Sequence, residues 1–138
     1  MTLNFTGPAA ALATFLGVWF GHVAVRKIEY RTADLRLPTL AFLLAGILLE
    51  FGSLMATNRT ASAVLGIWGI TTLWDTLELN RQQKRVHSGH APANPDNPRH
   101  ARILAEHPQA TTIDWLDRDP LERPLTPAEI EAIREHRQ

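Results

Sequence analysis

Apolar residues gather in three long runs over the first 80 residues and thin out afterwards. The runs cover 8–25, 37–57 and 61–79, with short polar stretches between them. A helix rises about 1.5 Å per residue, so roughly 20 apolar residues cross a hydrocarbon core ~30 Å thick. The pattern predicts three transmembrane helices. Beyond them Pro92, Pro95 and Pro98 follow at three-residue spacing, which forbids a continuing helix and favours extended or turn structure. Two helix starts follow. Asn97 is placed as an N-cap before Pro98, and Thr126-Pro127-Ala128-Glu129 spells a capping box with proline at the first helical position. The expected fold is all-α and integral to the membrane. A three-helix domain covers 1–86, and an extended, Pro-rich tail over 87–138 holds short helices near 98–107 and 127–136.

Charge sharpens this division. The mean hydropathy of −0.12 averages two unlike halves. Arg26, Lys27, Arg31 and Arg36 lie between the first two runs, and Arg81, Lys84 and Arg85 follow the third, whereas the opposite side offers Arg59 alone. By the positive-inside rule the amino terminus is outside and the tail cytoplasmic. The first run has no Lys or Arg before it and a basic cluster after it, the reverse of a cleaved signal peptide, so it reads as a retained helix. The outer turn Asn58-Arg59-Thr60 spells a glycosylation pattern, but a three-residue turn against the bilayer reads better as a helix start with Thr60 as N-cap. A net charge of zero gives no case for nucleic acid, and the lack of cysteine excludes thiolate chemistry and cysteine-ligated metal.

Within the runs, small residues form faces. Ala9, Ala13, Gly17 and Gly21 make a ridge at intervals of four, and the third run carries Gly66 and Gly69. Small residues let membrane helices approach closely enough for dispersion to hold them together. Whether the ridge meets the second helix, the third or another protein is open at this stage. His22, Glu50 and Asp75 lie inside the runs, with Glu78 at an edge. Such residues are costly in hydrocarbon and face protein or water. His22 and Asp75 fall at a similar depth, roughly 6–9 Å inside the cytoplasmic interface at 1.5 Å per residue, so a hydrogen-bonded or ionic contact between them is sterically reasonable. On the third helix Trp68, Thr71, Asp75, Glu78 and Gln82 form one stripe, and Gly66 lies on the opposite face. Two faces that prefer protein to lipid on one helix, more than three helices can readily cover, suggest contact with a further membrane subunit or another copy of the chain.

These side chains admit few chemistries. A proton or ion path through Glu50, Asp75 and His22 lacks polar groups in the outer leaflet. A haem on His22 would meet Val18, Trp19, Val25 and Arg26 on the same face rather than clearance. His87 and His90 have HxxH spacing but a glycine between them and no third ligand. No cofactor, metal or catalytic residue is assigned. In the tail, Trp115 and Leu116 among acidic residues read as a docking peptide.

Asn4-Phe5-Thr6-Gly7, His22, Lys27-Ile28-Glu29-Tyr30, Trp74, Glu78-Leu79, Lys84-Arg85-Val86, Gly89, Pro92 and Asn94-Pro95 together resemble the small bacterial inner-membrane proteins catalogued as domain of unknown function 4491, over about residues 4–95. The resemblance implies a three-helix membrane fold and no known activity. The expected function is a non-enzymatic accessory subunit of a larger bacterial membrane complex, photosynthetic and respiratory assemblies being the first hosts to examine. Its expected partners are the lipid bilayer and other membrane subunits. The alternative is a small homo-oligomeric channel or carrier using Glu50 and Asp75.

Overall fold

The computed structural model describes residues 3–117 and 125–135. Among them the fold is all-helical: α1 (Thr6–Arg31), α2 (Arg36–Met55), α3 (Arg59–His87), α4 (Pro98–Glu106) and α5 (Pro127–Glu135). His136, the expected end of the last helix, lies outside the described residues. α1 and α2 are each long and apolar enough to cross a membrane. α3 is longer, at 29 residues, but polar residues dilute its apolar content.

Hydropathy located the apolar runs but not the helix ends. α1 continues six residues past Val25, through Arg26-Lys27-Ile28-Glu29-Tyr30-Arg31, because Lys, Arg and Glu are good helix formers outside an apolar run. At the α2–α3 turn the cap is Asn58, whose Oδ1 accepts the Ala61 amide at 3.0 Å. The Thr60 hydroxyl pairs instead with the Thr6 hydroxyl at 2.8 Å. Asparagine is as strong an N-cap as any residue, and Thr60 is left to tie the first turn of α1 to that of α3.

The chain divides into two compact units. The first holds residues up to Glu29 together with Asp34–Asn80, and the second holds Tyr30–Ala33 with the chain from Arg81 onward. In the first unit α3 packs against both other helices, through Gly17 and Gly21 of α1 and Gly46 of α2. The outward sides of α1 and α2 are apolar: Phe15 is 67% exposed, Phe51 61% and Leu54 83%.

The second unit departs from the extended tail read from the sequence. α3 ends in a glycine cap. Gly89 has φ +72°, its amide donates to the Val86 carbonyl at 3.1 Å, and the His90 amide reaches back to the Arg85 carbonyl at 2.8 Å. This pairing satisfies carbonyls at the helix end and reverses the chain. The prolines then carry a turn rather than an arm. Ala93 donates its amide to the Thr111 carbonyl at 2.8 Å, and Val86, Ala91, Ala93, Ile103 and Ala110 close a small core with Leu104 against it. α4 begins where Asn97 Oδ1 accepts the Arg99 amide. α5 begins with a reciprocal box, the Thr126 amide donating to Glu129 Oε2 at 2.8 Å and the Glu129 amide to Thr126 Oγ1 at 3.4 Å.

Gly89 is the residue on which this reversal turns. A side chain there would adopt a left-handed conformation and run into the Gln109 carbonyl. Gly89→Ala is expected to destabilise the second unit by about 2 kcal/mol. Limited proteolysis of the intact chain checks this: cleavage within 88–117 should accelerate while cleavage within 40–55 stays constant.

Candidate functional site

The ionisable and small residues of the first unit meet one another in pairs across helix contacts. On one side of α3, Thr71 and Asp75 face α1. A Cβ built on Gly17 would come within 3.0 Å of the Thr71 hydroxyl, and one on Gly21 within 2.6 Å of both Asp75 carboxylate oxygens. On the other side, Gly66 and Gly69 of α3 face α2. There the built Cβ atoms would stand 3.1 Å from Ser53 Oγ and 2.7 Å from Glu50 Oε1. Gly46 of α2 lies so near α3 that its Cβ would meet Leu73, backbone nitrogen included, at 3.0 Å. Ser53 and Ser62 close the same α2–α3 contact reciprocally. Each hydroxyl donates to the other residue's carbonyl, at 2.8 and 2.9 Å.

The partner of the small-residue ridge is therefore α3, at least at Gly17 and Gly21. Ala13 is buried and Ala9 half-buried. The two faces of α3 seen in the sequence are real, but α1 and α2 cover them. The inference from those faces to a further subunit loses its premise.

His22 and Asp75 are near enough for their charges to interact but are not joined by a hydrogen bond. His22 Nδ1 bonds the Val18 carbonyl of its own helix at 2.9 Å and its ring is exposed, while the neighbouring Gly21 receives the Asp75 carboxylate. Glu78 is buried at 5% exposure. Sequence reading missed Ser53–Ser62 and Leu73. A serine on each helix, equidistant from the turn between them, was the available signal for the first. Nothing marked Leu73 out from other leucines.

In the second unit, Trp115 and Leu116 separate in role. The Trp115 indole Nε1 donates to the Gly89 carbonyl at 3.0 Å, pinning its segment to the end of α3. Leu116 stays 71% exposed. The HxxH pair does not converge: His87 stacks on His107 with centroids 4.4 Å apart, and His90 Nδ1 pairs with the Ser88 hydroxyl at 2.9 Å. Among the described residues no three His, Asp or Glu side chains gather as a metal site. Asn94 and Asn97 form a clasp that the sequence did not announce. Asn97 Nδ2 donates to the Tyr30 and Thr32 carbonyls at 3.1 and 3.2 Å, and Asn94 Nδ2 to that of Tyr30 at 3.3 Å. His100, fully buried, accepts the Asn94 amide at 2.8 Å through Nδ1 and meets the Tyr30 ring edge-on.

These features define an all-helical protein with two helices fit to cross a membrane and a polar folded segment after the third helix. A family model described as Domain of unknown function (DUF4491) matches residues 4–97. The chain belongs to that family, and the match takes in α1, α2, α3 and the asparagine clasp. No curated protein and no solved structure matches the chain.

The reciprocal serines give a direct check on the α2–α3 contact. Ser53→Ala and Ser62→Ala should each cost about 1 kcal/mol, and the double variant close to the sum, because each hydroxyl donates to a backbone carbonyl that the other substitution leaves in place. Thermal denaturation in mild detergent measures this. Gly46→Ala should cost more than Gly7→Ala, which meets nothing.

Proposed function

We propose that this protein is a non-catalytic accessory subunit of a larger bacterial inner-membrane complex. Three helices, within 8–25, 37–57 and 61–79, insert it in the bilayer with the amino terminus outside and the polar segment after α3 in the cytoplasm. The observation that carries the subunit role is the folded polar unit after α3, with Leu116 71% exposed on it. The membrane setting is supported by the pairing of polar and small residues on α3 with those of α1 and α2, which leaves the bundle an apolar exterior that suits lipid. α2 in particular is too exposed to be the core helix of a water-soluble protein: only Gly46 along its length is buried. The membrane crossing of α3 rests on its place between the other two helices. The orientation rests on the basic residues at 26–36 and 81–85 against Arg59 alone. The partner-facing surface on this reading is the polar unit, with Leu116 exposed as an apolar contact.

A carrier using Glu50 and Asp75 is less well supported. Each carboxylate packs against a glycine of a neighbouring helix, so a path through them requires those contacts to open.

Gentle detergent extraction followed by native mass measurement tests the subunit reading, with co-purification in a defined hetero-oligomer expected. A lone monomer or pure homo-oligomer would sink it. If the carrier reading holds, Glu50→Gln and Asp75→Asn abolish ion flux in reconstituted vesicles. The absence of cysteine makes topology directly measurable. A cysteine introduced at Thr57 should react with an impermeant maleimide from outside the cell, and one at Gln109 only after permeabilisation.

A further inference from the structure

The second unit contains an open cleft of about 430 Å3, within the roughly 300–1,000 Å3 range of small-molecule sites. Its lining includes His87 at the end of α3, Arg99, Arg102, Ile103 and Glu106 on α4, and His107 just after it. The stacked imidazoles of His87 and His107, with 26° between their planes, form one part of the wall. The buried Ile103 supplies an apolar floor. Arg99 is held in place, its Nε and Nη2 both donating to the Thr32 carbonyl at 3.4 and 3.3 Å. Arg102, three residues on, shares its helix face and is exposed.

The polar side chains are mainly nitrogen donors, set beside Gln83 and the apolar Ala33, Pro98 and Ile103. Two guanidinium groups and two imidazoles stand against a single carboxylate, Glu106. Guanidinium groups match the planar oxygen pairs of phosphate, and bonds to an ionised acceptor are about twice as strong as neutral ones. The N-terminus of α4 is not the donor, since Asn97 Oδ1 already accepts the Arg99 amide at 3.1 Å.

We infer that this cleft binds a phosphate-bearing ligand, with Arg102 and His107 as its principal contacts and Glu106 setting an upper bound on affinity. The site joins Ala33, Gln83 and His87 of the family region to six residues beyond its matched end at 97. It is thus a property of this chain's continuation past the family region. The phosphate has two sources, a lipid headgroup or a soluble molecule. The inference does not depend on the subunit reading, because the cleft is formed by this chain alone.

The test uses the full chain in a maltoside detergent and phosphate-free buffer, titrated separately with inorganic phosphate and dioctanoyl phosphatidic acid by calorimetry. Saturable binding is expected in at least one arm. Arg102→Gln should weaken it about tenfold or more, and Glu106→Gln should strengthen it several-fold. Tighter binding of phosphatidic acid than of inorganic phosphate identifies a lipid ligand, and equal or weaker binding a soluble one. Imidazole proton resonances of His87 and His107 in the unmodified chain give a second readout, and both should move on phosphate addition. Absence of binding in both arms overturns the proposal. So does binding unchanged in both variants with the imidazole resonances unmoved. Either failure leaves the native-mass test of the subunit reading untouched.

Discussion

The first unit depends on one constraint, the close approach of α3 to a helix on each side. In lipid, apolar side chains gain nothing by leaving hydrocarbon for one another, so helices associate through tight packing and shared polar contacts. This chain supplies both in complementary positions. α1 is narrow at Gly17 and Gly21, opposite Thr71 and Asp75, and α3 is narrow at Gly66 and Gly69, opposite Ser53 and Glu50. Each polar group reaches into space that a missing side chain leaves. A methyl group at Gly21 or Gly69 would displace a carboxylate from the contact toward the apolar outside of the bundle. Polar and small positions are thus two halves of one packing rule.

That rule was half legible. Helical arithmetic at about 100° per residue put Gly66 and Asp75 on opposite faces of α3, and the structure uses both. It did not say what each face meets. Three helices are too few to cover so many faces only if small faces and polar faces are separate demands, and pairing a small face with a polar one satisfies both together. His22 shows a second limit. Equal depth pairs His22 with Asp75 by charge, and the two interact electrostatically, but no hydrogen bond joins them, because the residue packed against Asp75 is Gly21, one position or about 100° of rotation away.

Capping chemistry is local, and it is legible in the sequence at Asn97-Pro98 and Thr126-Pro127-Glu129, where α4 and α5 begin. It is less legible at the α2–α3 turn, where Asn58 and Thr60 are both competent caps and a contact with Thr6, 54 positions away, takes the threonine. The fold of 88–117 was hidden for the same reason. Its organising contacts link Asn94 and Asn97 to carbonyls more than 60 positions earlier, and a single sequence carries no signal for such pairs. The prolines correctly excluded a long helix, but excluding a helix leaves a compact turn and an extended arm equally open.

Asn97 explains why that segment folds back at all. The last carbonyls of a helix have no amide of their own helix to accept from. Tyr30 lies in the final turn of α1 and Thr32 just past it, so both carbonyls need donors. Asn97 gives its amide hydrogens to both carbonyls while its oxygen caps the first turn of α4. One side chain thus satisfies the end of one helix and the start of another. Replacing it with aspartate would keep the cap and lose the clasp, and with alanine would lose both. Because Asn97 is also the last residue of the family match, α4 starts from an anchor the family region already provides. Arg99 then extends the same hold on Thr32, so the chain beyond the family region is built onto the clasp.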